Sequence, residues 1–223
     1  VEVALCGHAT LSSAFVLYEE GHVPLTSAIH FHTLSGVLVC GFEKAPPAVA
    51  GGAEKKLVLM DFPLLPLTPV SAAVTKERLA SCLAISPESI LAMSGTQTTD
   101  VLVHIQSSVF PSIKPDFEKI AAIDARGVVV TAEAPDKSTG LDFQSRWFGP
   151  NVGIDEDPVT GSAHCALGAY WSAVMGKKHL YAQQTCPARG GFINIELPED
   201  HPDRVFIKGE GVIALRGVLL TAP

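Results

Sequence analysis

The sequence predicts an α+β protein built from two duplicated domains, and three observations carry that prediction. Residues 163–175, Ala-His-Cys-Ala-Leu-Gly-Ala-Tyr-Trp-Ser-Ala-Val-Met, are apolar on nearly every face. Such a helix is buried all round, and Gly176 stands where a C-terminal stop is expected. Gly7-His8-Ala9-Thr10-Leu11 opens a second apolar helix over residues 9–20, closed by Gly21. An offset of 154 residues superimposes Gly7 on Gly161. The same offset, give or take one, carries residues 31–39 onto 183–195 and residues 57–62 onto 212–217. Three successive elements at one offset read as two copies of helix, strand, turn, strand and closing strand.

The 223 residues suit two small domains, and 47% hydrophobic residues supply their cores. A formal charge of −7 with only 17% charged residues argues against nucleic acid or an anionic membrane as partner. No apolar run reaches membrane-spanning length. The five cysteines, Cys6, Cys40, Cys82, Cys165 and Cys186, are odd in number and form no C-x-x-C pair. They point to a reducing, cytoplasmic compartment and away from zinc or a disulfide framework. No nucleotide fingerprint occurs, and the cysteine and histidine spacing offers no metal site.

Residues 1–5 read as a strand entering the Cys6-Gly7-His8 turn. Residues 29–40 alternate and are rich in β-formers, with Ser35-Gly36 as the turn. Ala45-Pro46-Pro47 and Gly51-Gly52 mark a surface loop, and residues 56–62 the closing strand. Pro63, Pro66 and Pro69 make a stiff stretch that reads as a linker, dividing the chain into domains 1–66 and 67–223. Beyond it come a short helix over 75–84 with Thr75 as N-cap and strands at 90–92 and 100–106. An amphipathic helix over 115–124 follows, with Phe117, Ile120 and Ile123 on one face, then strands at 128–132 and 141–148.

The chemistry gathers where the two apolar helices begin. Asp157-Pro158-Val159-Thr160-Gly161-Ser162 leads into the second one. Pro158 suits the turn before a helix, and Thr160 or Ser162 is expected to cap the first amides. The dipole end of a buried helix is a place to hold a carboxylate or an enolate, and Gly161 lets it approach. Asp157 is the strongest carboxylate candidate, against the blander reading of a turn residue. His8 occupies the position equivalent to Ser162 and would face Asp157 across a domain cleft as proton donor or substrate clamp; the plain alternative is a helix-end hydrogen-bonder. Arg189, in Arg189-Gly190-Gly191, suits a substrate carboxylate or a simple hairpin. Cys6 beside the first turn would serve a thiol racemase, but the second turn has no matching cysteine, and Cys165 falls inside the helix. His30 and His32 point the same way on a strand without a third ligand, as surface or interface histidines do.

At these residues the sequence resembles the phenazine-biosynthesis PhzF-like isomerase family, which shares the diaminopimelate-epimerase-like fold. The resemblance rests on residues 5–11, Met60-Asp61-Phe62-Pro63, residues 145–150, the block Glu156 to His164 and Arg189-Gly190-Gly191. It implies that each domain wraps a mixed β-sheet around a central helix, with the active site between the two helix N-termini. It further implies a cofactor-independent allylic isomerisation of a dihydro-hydroxyanthranilate, a small cyclic acid. His8, Asp157 and Ser162 match the family's catalytic histidine, aspartate and serine, and Gly7 and Gly161 supply backbone contacts to substrate. A homodimer is implied as well. The family's acid–base glutamate lies well upstream of the Cys-Gly-His turn, and Glu2 is too near to be it. A non-catalytic binding protein on the same scaffold and a thiol-dependent racemase remain the alternatives.

The repeat also carries an expectation about the first domain. The stretch before Gly161 is far longer than the six residues before Gly7, which reads as a first domain short by roughly 80 residues. On that reading Ala9, Leu11, Ala14, Phe15 and Val16 face water, and the chain by itself is inactive.

Overall fold

The computed structural model describes residues 6–34, 36–45, 55–187 and 189–218. The strand expected at residues 1–5, Glu2, Ser35 of the first turn, and most of the loop with Pro46, Pro47, Gly51 and Gly52 lie outside them. Helix α1 (Gly7–Glu19) leads into strands β1 (Ile29–Thr33), β2 (Gly36–Ala45) and β3 (Lys55–Pro63). Then come β4 (Leu67–Thr68), α2 (Lys76–Leu83), β5 (Ile90–Thr96), β6 (Val101–Ile105), α3 (Phe117–Ala121), β7 (Val128–Glu133), β8 (Phe143–Gly149) and β9 (Ile154–Asp157). The last part is α4 (Gly161–Met175), β10 (His179–Gln184), β11 (Gly191–Glu196) and β12 (Arg204–Glu210).

The strands form one mixed sheet in the order β1-β2-β3-β12-β11-β10-β8-β7-β6-β5-β4, with β9 added to β8. Pairs β6·β7 and β8·β10 are parallel. The middle strands are buried on both faces, as their β-branched runs require. Leu102, Val129 and Trp147 belong to the core shared with α1 and α4. Val101, Val103, Val128, Val130 and Phe148 belong to a second core with Leu79 of α2 and Ile120 of α3.

Local signals place most helices well. Thr75 caps α2 by accepting from the Arg78 amide at 3.3 Å, and the chain leaves through Ala84 in the left-handed region. Asp116 caps α3, which stops at Ala121, short of the expected end, although Ile120 and Ile123 are both buried. Helix α4 buries Ser162 through Gly168, Tyr170 and Trp171, and ends at Gly176 with φ 65°.

Three expectations change. The closing strand of the second half is residues 204–210, and residues 211–218 form no strand. The offset matched the apolar run at 212–215, whereas Val205 and Ile207 make the buried alternation and β12 finds partners on both edges, β3 and β11. Nor is the proline stretch a bare linker: Pro63 ends β3, and Leu67–Thr68 pairs with β5 along the sheet edge. Finally, Ala14 (0% exposed) and Phe15 (6%) are buried, Leu11 is half-buried, and only Ala9 and Val16 of that set face solvent. Phe15 packs under the chain at Gly211, where a Cβ would stand 2.5 Å from its ring.

Candidate active site at the junction of two helix N-termini

Helices α1 and α4 meet at their first residues. A Cβ built on Gly7 would stand 3.3 Å from the Cα of Gly161, and one built on Gly161 would stand 3.3 Å from the Cα of Gly7. The Phe62 ring edge lies 3.8 Å from either hypothetical atom, beneath both turns. Neither helix has a side-chain cap, although Cys6 and Thr160 occupy the cap positions. Two positive dipole ends with free amides thus converge on one spot, an arrangement that an anion between them stabilises.

The capping expectation fails because both hydroxyls are engaged elsewhere. Thr160 Oγ1 donates to Asp157 Oδ2. Ser162 Oγ accepts from Arg126 Nη2 at 3.1 Å. Arg126 is held in turn by Asp100, with Nε 2.8 Å from Oδ1, and its guanidinium lies 5.3 Å from the centre of the Trp147 ring. The Asp100 carboxylate is 1% exposed, so this pair anchors Ser162 from inside the domain.

A cleft of about 490 Å³ opens beside the junction, lined by Gly7, His8, Gly161, Arg189, Asn194 and Lys208 among others. Four of the expected site residues therefore share one cleft: Gly7, His8, Gly161 and Arg189. His8 is the second residue of α1 and is exposed; Arg189 is exposed on the β10–β11 connection. Asp157 and Ser162 do not line that cleft; they approach the junction from β9 and from the first turn of α4. Lys208 is already committed, with Nζ 2.8 Å from Glu196 and 2.9 Å from Glu43. Burial alone would lower its pKa, and the two glutamates outweigh that and raise it.

Behind Asp157 stands Gln184, the last residue of β10 and 1% exposed. Its Nε2 lies 2.7 Å from the Asp157 carbonyl oxygen, and its Oε1 accepts from the Thr160 amide at 2.8 Å. His164 is fully buried; its Nδ1 is 2.7 Å from the Thr160 carbonyl, and burial pushes its pKa down to about 4. It is a neutral structural residue. Cys165, one turn into α4, is also fully buried, and burial pushes its thiol up to about 12. It cannot act as the second thiol of a racemase at neutral pH. His30 and His32 are exposed on the edge strand β1, away from this site. Among the described residues no group of three histidine, cysteine or carboxylate side chains is arranged to hold a metal.

Sequence reasoning missed Gln184, Arg126 and Asp100. Gln184 and Arg126 reach the α4 turn from 24 or more residues away, Asp100 acts on it through Arg126, and no local motif marks these approaches.

The family model for phenazine biosynthesis-like proteins matches residues 1–217. An uncharacterized isomerase of Pseudomonas aeruginosa is 40% identical over 97% of this chain and 73% of its own length. One from Halalkalibacterium halodurans is 38% identical over 98% and 74%. The human phenazine biosynthesis-like domain-containing protein is 35% identical, again over 98% and 74%. The chain thus spans about three quarters of the length of these relatives. A crystal structure of an Enterococcus faecalis protein of the PhzF family superposes with a TM-score of 0.75, at 32% identity, over 94% of this chain and 70% of that one. With the family's model matched along nearly the whole chain, and relatives and a solved structure alike, this chain belongs to the phenazine biosynthesis-like, PhzF-type family.

Proposed function

We propose that the chain is a PhzF-type isomerase that shifts a proton on a small cyclic acid without a cofactor and, against the inactivity expected from the sequence, that it is active as it stands, since Ala14 and Phe15 are buried rather than facing water. The observation that carries this reading is the junction of two uncapped helix N-termini at Gly7 and Gly161. Free amides from both turns suit the substrate's carboxylate or the enolate-like charge that forms when a carbon-bound proton leaves. Arg189 at the cleft mouth supplies a second contact for a carboxylate. Asp157 accepts the proton, His8 donates or clamps from the opposite turn, and Ser162 hydrogen-bonds the substrate from the first turn of α4. The shared order of a helix followed by three antiparallel strands in the two parts of the chain supports an ancestral duplication, with the two turns as its equivalent points. Incubation with a dihydro-hydroxyanthranilate in D₂O, followed by proton NMR, tests the reading. A moved double bond carrying solvent deuterium is expected; a spectrum unchanged at millimolar substrate would remove it.

Self-association into a homodimer is part of the same proposal. The exposed apolar residues Val212, Leu215 and Val218, each more than 80% accessible, and Val16 of α1 support it as surface that a second copy would cover. Light scattering at micromolar concentration should return twice the chain mass, and a monomer mass would count against it.

A further inference from the structure

Strands β11 and β12 part inside the cleft. Their ladder runs from Glu196 opposite Phe206 to Asn194 opposite Lys208 and stops there, although β11 begins at Gly191 and β12 continues to Glu210. Phe192 and Ile193 on one strand, and Gly209 and Glu210 on the other, line the opening. The helix starts flank it on both sides. Leu11 of α1 lies against Gly209, where a Cβ would stand 2.6 Å from its side chain, and Val159 stands equally close to a Cβ on Gly191. One wall carries an aromatic pair. Tyr181 lies opposite Asn194 in the β10·β11 ladder, and Phe192 stands two residues before Asn194, so all three side chains share a face. The Tyr181 and Phe192 rings stack with centroids 5.8 Å apart and 22° between their planes, a separation at which aromatic pairs attract. Tyr181 is half-buried, yet Phe192 is 57% exposed. The Asn194 side-chain amide, able to donate two hydrogen bonds and accept two, has no protein partner among the described residues. Lys208, next in the row, adds no free charge, since Glu43 and Glu196 hold it.

We propose that Phe192, backed by Tyr181, is the platform on which the substrate ring stacks, and that the Asn194 amide reads a polar group carried by that ring. The cleft then selects a flat, unsaturated ring acid bearing an amino or hydroxyl group over a saturated one. The proposal rests on the reading of this cleft as the substrate's seat, and on no assignment of the group that moves the proton. A flat ring lays its whole face on Phe192 at van der Waals distance, whereas a puckered saturated ring touches it through a few hydrogens. Arg189 stands three residues before Phe192 on the same connection, so the guanidinium can take the carboxylate while the ring lies on the aromatic.

The test is binding rather than turnover, by NMR titration with 3-hydroxyanthranilate, benzoate and cyclohexanecarboxylate. Wild type should bind them in that order, tightest first. Phe192→Leu changes an exposed side chain and keeps the fold. It should weaken both flat acids roughly five- to tenfold and leave cyclohexanecarboxylate within about twofold. Phe192→Tyr keeps the ring and should bind the flat acids as wild type does. Asn194→Ala should weaken 3-hydroxyanthranilate roughly three- to tenfold and leave benzoate as it was. Equal losses for flat and saturated acids in Phe192→Leu, or wild-type binding without that order, would overturn the platform. So would a halved mass of Phe192→Leu in light scattering, which would assign the ring to a contact between copies. Failure of the isomerase reading shows itself elsewhere, as a dihydro-hydroxyanthranilate that takes up no deuterium, and the order of binding then decides the platform alone.

Discussion

Gly7 and Gly161 touch: the first residues of α1 and α4 are so close that a side chain on either would sit 3.3 Å from the other's Cα. The contact is backbone against backbone, so the structure has no flexible side chain to move aside. Alanine at either position gains helix propensity of up to about 1 kcal/mol, yet it forces the two turns apart by a few tenths of an ångström. Gly7→Ala and Gly161→Ala are therefore expected to remain folded while losing carboxylate binding by roughly tenfold. Titration of 3-hydroxyanthranilate by NMR is the check, and alanine variants that bind as tightly as wild type would show that the junction is mere packing.

Arg126 and Asp100 make a second, independent prediction. Arg126→Met leaves the Asp100 carboxylate buried at 1% exposure without its counter-charge. The expected cost is about 3 kcal/mol, relieved in the Arg126→Met/Asp100→Asn double variant. Urea unfolding of wild type, Arg126→Met, Asp100→Asn and the double variant gives the cycle; additive losses would contradict it.

A third prediction concerns acid. His164 is held down to about pH 4 by burial, against an ordinary value of 6.5. Between those values the unfolded chain binds a proton that the folded protein refuses. Stability from this group is thus complete above pH 6.5 and is lost as pH falls toward 4, by ~3 kcal/mol. Unfolding midpoints measured from pH 7 to pH 4.5 should fall more steeply in wild type than in His164→Gln. Parallel curves would show that His164 takes up its proton in the fold as readily as in the unfolded chain.

Thiol chemistry is the fourth. Cys6 is exposed, whereas Cys40, Cys82 and Cys165 are buried with raised pKa values, desolvation being the main cause for each. Iodoacetamide at neutral pH should label Cys6 ahead of those three, as read by mass spectrometry. Turnover should survive that labelling; its loss would revive the thiol-racemase alternative.

How much of this was legible in the sequence follows from the range of the interactions. Helices α2 and α4, the cap Thr75 and the strand residues 128–132 follow from local patterns, and the structure places them there. The glycine turns were legible too: the sequence marks Gly7 and Gly161 as helix starts, and the structure places them there. What failed was everything decided at a distance. Thr160 and Ser162 look like caps until Asp157 and Arg126 claim their hydroxyls. Residues 212–215 look like a strand until β12, a few residues earlier, takes both available edges. Gln184 reads as one polar residue at a strand end, and only the fold brings it against the Asp157 turn.

Asp157 is where the account is most exposed. Its replacement by asparagine keeps the size and the hydrogen bond from Thr160 but removes the group that carries the proton. Turnover of a dihydro-hydroxyanthranilate by Asp157→Asn, measured beside wild type, should be lower by roughly two to four orders of magnitude. Turnover close to wild type would make Asp157 a turn residue and contradict the acid–base assignment at its centre.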